Sequence, residues 1–202
     1  LSITTDGIVT INGGGTFGLT DNGAFNANLA IEGLVFNAAH IVLTDVNDFY
    51  LLNCSVASVT GGPAYAVEYN RTAGGGVTYN MTITGCSLSN SDVPGLGIIN
   101  ATNNNYNVVV DDNEFTDNTG GLYMANQSTG EMLATIIDNV ADSDGTGRSI
   151  DIVNTGSGNA EFYVSSNNAI DAAYAISADY SAGTGKLRIV DNNDGAGGAF
   201  ID

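Results

Sequence analysis

The sequence predicts an all-β fold, a right-handed parallel β-helix (β-solenoid) of about eight coils with two to three short strands per coil, in one domain over residues 1–202. Three observations carry that expectation. A short apolar triplet recurs eight times at a near-constant pitch. A polar column follows it at a fixed offset. The composition favours turns and ladders over helices, with 27 Gly, 2 Pro, and 17 Asp against 5 Glu; Asp bonds its own local backbone and disfavours helix, while Pro would delete a ladder hydrogen bond.

The triplets are Val9-Thr10-Ile11, Leu29-Ala30-Ile31, Phe49-Tyr50-Leu51, Met81-Thr82-Ile83, Val108-Val109-Val110, Ala134-Thr135-Ile136, Phe162-Tyr163-Val164 and Leu187-Arg188-Ile189. The first and third residues of each are apolar and two apart, so they share one face of a strand. The third residues are separated by 20, 20, 32, 27, 26, 28 and 25 positions. That is the signature of coils that return to one place while their turns vary in length.

Three residues beyond each triplet stands the column Gly14, Leu34, Cys54, Cys86, Asn113, Asn139, Asn167 and Asn192. Stacked at the ~4.8 Å spacing of neighbouring strands, its Asn amides can bond along the column. Two residues later the column Thr16, Phe36, Val56, Leu88, Phe115, Ala141, Ala169 and Asp194 turns inward again, its last member departing from the apolar pattern. A second strand is expected at Tyr65-Ala66-Val67, Gly97-Ile98-Ile99, Leu122-Tyr123-Met124, Ile150-Asp151-Ile152, Tyr174-Ala175-Ile176 and Ala199-Phe200-Ile201. A further Asn set at Asn100, Asn126 and Asn154 follows it, with Asn70 and Asp179 one residue out of step. An antiparallel sandwich would not superpose on itself at one register through all units, and no window has helical period.

The segment Ile3-Thr4-Thr5-Asp6-Gly7-Ile8-Val9-Thr10-Ile11-Asn12-Gly13-Gly14-Gly15 resembles the opening coils of pectin-lyase-like right-handed β-helix proteins. It is most similar to bacterial surface proteins such as polymorphic membrane proteins and autotransporter passengers. Val110-Asp111-Asp112-Asn113-Glu114-Phe115 resembles the generic repeat of that superfamily, in which an apolar residue, an Asn and another apolar residue recur. The likeness spans essentially the whole chain and implies a fold. It implies no single activity, because lyases, hydrolases, adhesins, tailspikes and fibres share that fold.

A net charge of −18, with only Arg71, Arg148, Lys186 and Arg188 basic, disfavours nucleic acid and anionic membrane as partners. No apolar run reaches the ~20 residues of a membrane span, so no membrane insertion is expected. The enzymes of the resembled superfamily imply a basic catalytic residue with calcium-holding aspartates, or three aspartates with a histidine. Neither motif surrounds the single histidine, His40, which reads as structural. Lys186 and Arg188 share the solvent face of one strand, where they relieve local negative charge or clamp an acidic sugar.

Calcium is the one cofactor the residues suggest. Asp112 and Asp138 fall on neighbouring coils, and Asp142-Ser143-Asp144-Gly145 alternates oxygen ligands before a bend. The metal candidates are therefore Asp112, Asp138, Asp142 and Asp144, with solvated turn aspartates as the alternative. Cys54 and Cys86 share a column on adjacent coils, within disulfide reach or as stacked free thiols. N-x-Ser/Thr sequons occur at Asn53, Asn70, Asn80, Asn100 and Asn126.

The expected function is a non-catalytic structural or adhesive module of an extracellular or cell-surface protein or fibre. Leu1 and Asp202 suggest a segment of a longer solenoid or a subunit that stacks head-to-tail, so the expected partners are its own subunits or the rest of that solenoid, together with surface glycans. The alternative is a polysaccharide-binding or polysaccharide-cleaving β-helix, a lyase, hydrolase or tailspike-like protein, whose tyrosines would stack on sugars.

Overall fold

The computed structural model describes residues 2–21, 27–44, 46–61, 64–143, 147–170 and 174–194. Within them the chain forms nineteen strands and no helix. Every strand pairing between coils is parallel, and each strand lies one coil away from its partner. The molecule is an all-β parallel solenoid built from three ladders.

The first ladder stacks the start of β1 (Ser2–Thr20) on β2 (Leu29–Leu43), β3 (Phe49–Leu52), β6 (Thr78–Thr84), β9 (Asn105–Asp111), β12 (Met132–Ile137), β15 (Asn159–Ser165) and β18 (Thr184–Val190). The second passes through the middle of β1 and β2 to β4 (Ser55–Ala57), β7 (Ser87–Ser89), β10 (Glu114–Asn118), β13 (Val140–Ser143), β16 (Asn168–Ile170) and β19 (Asn193–Asp194). The third takes the ends of β1 and β2, then β5 (Val67–Asn70), β8 (Leu96–Asn100), β11 (Leu122–Asn126), β14 (Arg148–Asn154) and β17 (Tyr174–Asp179). Seven passages through the third ladder enclose about six full turns, fewer than the eight coils expected from eight triplets. Eight triplets in one ladder would bound seven intervals; because Val9-Thr10-Ile11 pairs in the second ladder, seven triplets stack and bound six.

Seven of the eight triplets stack in the expected register, from Leu29 over Phe49, Met81, Val108, Ala134 and Phe162 to Leu187. The first does not. Ile3 pairs with Ile31, while Ile11 pairs with Phe36 in the second ladder, so Val9-Thr10-Ile11 belongs one ladder later than its pattern suggests. β1 carries extra residues at both of its corners, between Thr4 and Val9 and between Asn12 and Phe17, and these absorb the offset.

The inward residues fill the tube between the ladders. Ile31, Leu51, Ile83, Val110, Ile136 and Val164 form one buried column, and Phe36, Val56, Leu88, Phe115 and Ala141 another. Each large aliphatic or aromatic side chain so placed contributes about 1.5–3 kcal/mol of burial. The third ladder adds Val67, Leu96, Leu122, Ile150 and Ile176 in direct register. Those pairings correct three expected positions. Val67 rather than Tyr65 meets the column, Leu96 rather than Gly97, and Ile176 rather than Tyr174. Tyr65 and Tyr174 imitate core residues in sequence but remain only half-buried. Ala199-Phe200-Ile201 lies outside the described residues.

Candidate functional site

Between the first and second ladders the backbone turns through one residue in the left-handed region. In successive coils that residue is Gly33, Asn53, Gly85, Asp112, Asp138, Ser166 and Asp191, with φ between 52° and 71°. Gly, Asn and Asp tolerate this conformation where β-branched side chains do not. Asp112 and Asp138 therefore hold corners on neighbouring coils, their side chains exposed. Asp142 sits farther along in β13, half-buried, paired with Thr116 and Ile170. Asp144 lies outside the described residues. Among the described residues, no three His, Cys, Asp or Glu side chains gather as a metal site would require.

The residue after each corner builds an internal spine. Asn113, Asn139, Asn167 and Asn192 are buried or half-buried and repeat one geometry. The Oδ1 of each accepts the backbone N–H of the residue one coil before: Cys86 at 3.0 Å, Asn113 at 3.0 Å, Asn139 at 3.0 Å and Asn167 at 2.9 Å. Each Nδ2 donates to a strand carbonyl in the previous coil, namely Ile83 at 2.9 Å, Val110 at 3.0 Å, Ile136 at 2.9 Å and Val164 at 2.9 Å. The Nδ2 of Asn113, Asn139 and Asn167 also donates to the Oδ1 of the next Asn, at 2.9, 2.9 and 2.8 Å. Backbone groups that a corner would otherwise leave buried and unmatched are satisfied by the side chain itself.

The two cysteines extend this spine with thiols in place of amides. Cys86 Sγ donates toward Leu51 O in the coil before and Thr84 O two residues back, both at 3.4 Å. Cys54 Sγ does the same toward Ile31 O at 3.7 Å and Leu52 O at 3.3 Å. Both are free and buried. At the end of the third ladder Asn100, Asn126 and Asn154 form a second spine, with Nδ2 to Oδ1 distances of 3.1 and 3.4 Å. Asn70 and Asp179 pair with Ile99 and Val153, one residue out of step. Asn100 and Asn126 are completely buried, whereas the sequon residues Asn53 and Asn80 are exposed.

Two grooves open on the outside. On the third ladder, Tyr65 and Tyr123 stack with ring centroids 5.6 Å apart and planes 15° from parallel. The Tyr65 ring lies against Gly97, where an added Cβ would come within 2.4 Å of it. Beside the rings, Arg148 bridges to Asp151 at 2.9 Å and reaches within 5.9 Å of the Tyr174 ring centroid. These residues, with Gly120, Gly121 and Gly147, line a shallow groove of about 410 Å³. Burial pushes the Tyr65 and Tyr123 phenols above their ordinary range, so both rings present neutral hydroxyls.

On the first ladder, Val109, Leu133 and Tyr163 floor a groove of about 470 Å³, with Lys186 and Arg188 at one end. Lys186 lies 3.4 Å from Glu161 and Arg188 stacks 5.3 Å from the Tyr163 ring centroid. The two cations do share a solvent face, each engaged with the coil before.

Comparison with family models, curated proteins and solved structures finds no match.

Sequence reasoning missed the third-ladder groove. Arg148 opens β14, and Arg71, the residue after β5, is buried over the Tyr79 ring at 4.5 Å. The available signal was the middle position of Leu122-Tyr123-Met124 and Ile150-Asp151-Ile152, where Tyr123 and Asp151 pair on adjacent coils and face outward. Of the tyrosines considered for sugar stacking, Tyr69, Tyr79 and Tyr106 are core residues, while Tyr50, Tyr123, Tyr163, Tyr174 and Tyr180 face outward to varying degrees. His40 is buried, and burial lowers its pKa.

Proposed function

We propose that this solenoid is a non-catalytic structural or adhesive module of an extracellular or cell-surface protein or fibre. The observation that carries the reading is the Asn spine, which ties consecutive coils from Cys86 to Asn192 through buried side chains. Such a spine commits its polar side chains to holding coils together and leaves none of them free for chemistry. The sequence likeness to bacterial surface β-helices, polymorphic membrane proteins and autotransporter passengers among the pectin-lyase-like proteins, supports the same setting. Net charge −18 also favours a soluble surface in salt-containing medium.

Its partners, on this reading, are further coils. Among the described residues only β15 pairs with β18, and Leu187 and Ile189 on β18 are partly exposed. A coil from the same polypeptide or another subunit would continue the ladder. Head-to-tail contact of this kind yields an open filament when its rotation does not close. The test is to label intact cells of the native source with antibody raised against the chain, and to image the released protein by electron microscopy. Labelling without permeabilisation and elongated particles are expected; labelling only after permeabilisation overturns the surface assignment.

The Tyr65–Tyr123 stack beside Arg148 and Asp151 favours one second reading, a glycan-docking groove on the same scaffold. Cleavage is less well supported there. Glu68 and Asp151 share an outward column but are separated by Gly97 and Tyr123, three rungs in all. That is roughly 14 Å along the ladder, beyond the ~5–9.5 Å that paired glycosidase carboxylates span. Titration calorimetry with neutral and uronate oligosaccharides tests docking. Binding lost in Tyr123→Ala supports it, and absence of heat with every oligosaccharide removes it.

A further inference from the structure

We infer that Cys54 and Cys86 are the site of a reversible disulfide that staples the longest coil of the solenoid. Leu52 pairs with Thr84 and Ser55 with Ser87, so the two cysteines between them stand directly one above the other. One rung separates their backbones, about 4.8 Å, inside the ~4.4–6.8 Å range of Cα separations that disulfides span. Both side chains point into the same corner, and their thiols donate to equivalent carbonyls.

Their position in the chain gives the bond a purpose. They stand 32 positions apart, the same spacing as Leu51 and Ile83, which is the longest interval in the repeat. The segment between them contains an uninterrupted exposed stretch from Thr72 to Thr78. At this corner, among the described residues, cysteines stand where later coils carry Asn: the amide spine starts at Asn113, which grips the backbone N–H of Cys86 and reaches no further back. A covalent link therefore falls where the hydrogen-bonded spine stops. Closing a loop of this length restricts the unfolded chain, which is the usual source of disulfide stabilisation.

The chemistry is thiol–disulfide exchange with a small-molecule or protein disulfide. The Cys54 thiolate attacks one sulfur of that disulfide and expels the other as a thiolate. The Cys86 thiolate then attacks Cys54 in the mixed disulfide, forming the Cys54–Cys86 bond and expelling the second thiolate. Two protons leave the cysteines and are taken up by the expelled thiolates, so the oxidant is reduced to a pair of thiols. The neighbouring Cys86 lowers the Cys54 thiol from its ordinary range, favouring it as the first nucleophile. The adjoining Cys54 and then burial push Cys86 up, consistent with its acting second. The groove over this corner is lined by Asn53, Gly85, Cys86 and Asn113 but not by the buried Cys54, so Cys54 meets the external disulfide before the corner closes in folding; Gly85 there turns the corner with no side chain.

This inference deepens the extracellular reading, in which thiols meet oxidising conditions, yet its test does not depend on where the protein resides. The whole chain is unfolded in urea, refolded in mixtures of oxidised and reduced glutathione, then alkylated and weighed intact. The expected product is a monomer about 2 Da lighter than the dithiol with no alkyl adducts. Its melting temperature should exceed that of the reduced protein by roughly 5–15 °C. Cys54→Ser and Cys86→Ser should instead each carry a single glutathione or alkyl group. A chain that remains a dithiol at every glutathione ratio overturns the inference, as do cross-linked dimers in place of the monomer or an oxidised form that melts lower than the reduced one. Failure of this test leaves antibody labelling of cells unaffected, and the reverse holds too.

Discussion

Asn139 Oδ1 accepts two hydrogen bonds from Asn113, the backbone N–H at 3.0 Å and the side-chain Nδ2 at 2.9 Å. Its own Nδ2 turns back to Val110 O and Ile137 O at 3.0 and 2.8 Å. With its further bond to Asn167 Oδ1 at 2.9 Å, one amide thus serves five groups on three coils. Asn139→Ala strips partners from a buried N–H and two buried carbonyls, each worth about 1–3 kcal/mol when left unmatched. The expected loss is about 3–5 kcal/mol in chemical denaturation, against less than about 2 kcal/mol for Asn192→Ala at the half-buried end of the same spine. Equal losses at both sites would show that the spine does not act by burial.

Close approach between coils gives a second expectation. A Cβ on Gly158 would come within 1.9 Å of Gly130 O, a backbone atom that cannot rotate away. Gly76 has φ 65° with open space where a Cβ would go. Gly158→Ala should therefore cost about 3 kcal/mol through forced separation of coils, and Gly76→Ala about 1 kcal/mol through backbone strain alone. Thermal melts of the two variants separate the mechanisms.

His40 is buried, and its Nδ1 has no hydrogen-bond partner among the described residues. Desolvation lowers its pKa, so the unfolded chain binds this proton more readily than the folded one. The stability it permits is complete above the ordinary histidine value of 6.5 and is lost as pH falls through the lower folded value. Urea midpoints should decline below pH 6.5, and His40→Leu should flatten that part of the profile.

Glu68 behaves in the opposite sense. Burial raises its pKa, so its ionisation in the folded state is penalised at neutral pH; the penalty is relieved as pH falls through the raised folded value and is gone below the ordinary carboxylate value of 4.5. Glu68→Gln should shift the urea midpoint upward at pH 7, with the difference from the parent protein closing near pH 4. A lower midpoint at pH 7 would mean that the carboxylate is stabilising where it stands.

The ladders were legible because their causes are local. An apolar pair two residues apart marks a strand face, and an Asn three residues on marks a corner; Asn113, Asn139, Asn167 and Asn192 carry both signals together. β1 was misplaced because its extra residues at two corners shift Ile11 into the Phe36 column without altering the apolar pattern. The third-ladder groove was hidden for a different reason. Tyr65 and Tyr174 are apolar enough to pass for core, and only pairing partners one coil away reveal that Val67 and Ile176 hold those positions. The left-handed role of Asp112 and Asp138 was likewise invisible to a reading based on charge, since carboxylates on adjacent coils suggest an ion before they suggest a backbone angle.

The claim that this solenoid supports rather than catalyses is tested most directly by incubating the intact chain with uronate and neutral polysaccharides and measuring newly formed chain ends. No release above that of heat-denatured protein is expected. Release that requires the folded chain and disappears in Asp151→Asn would contradict it.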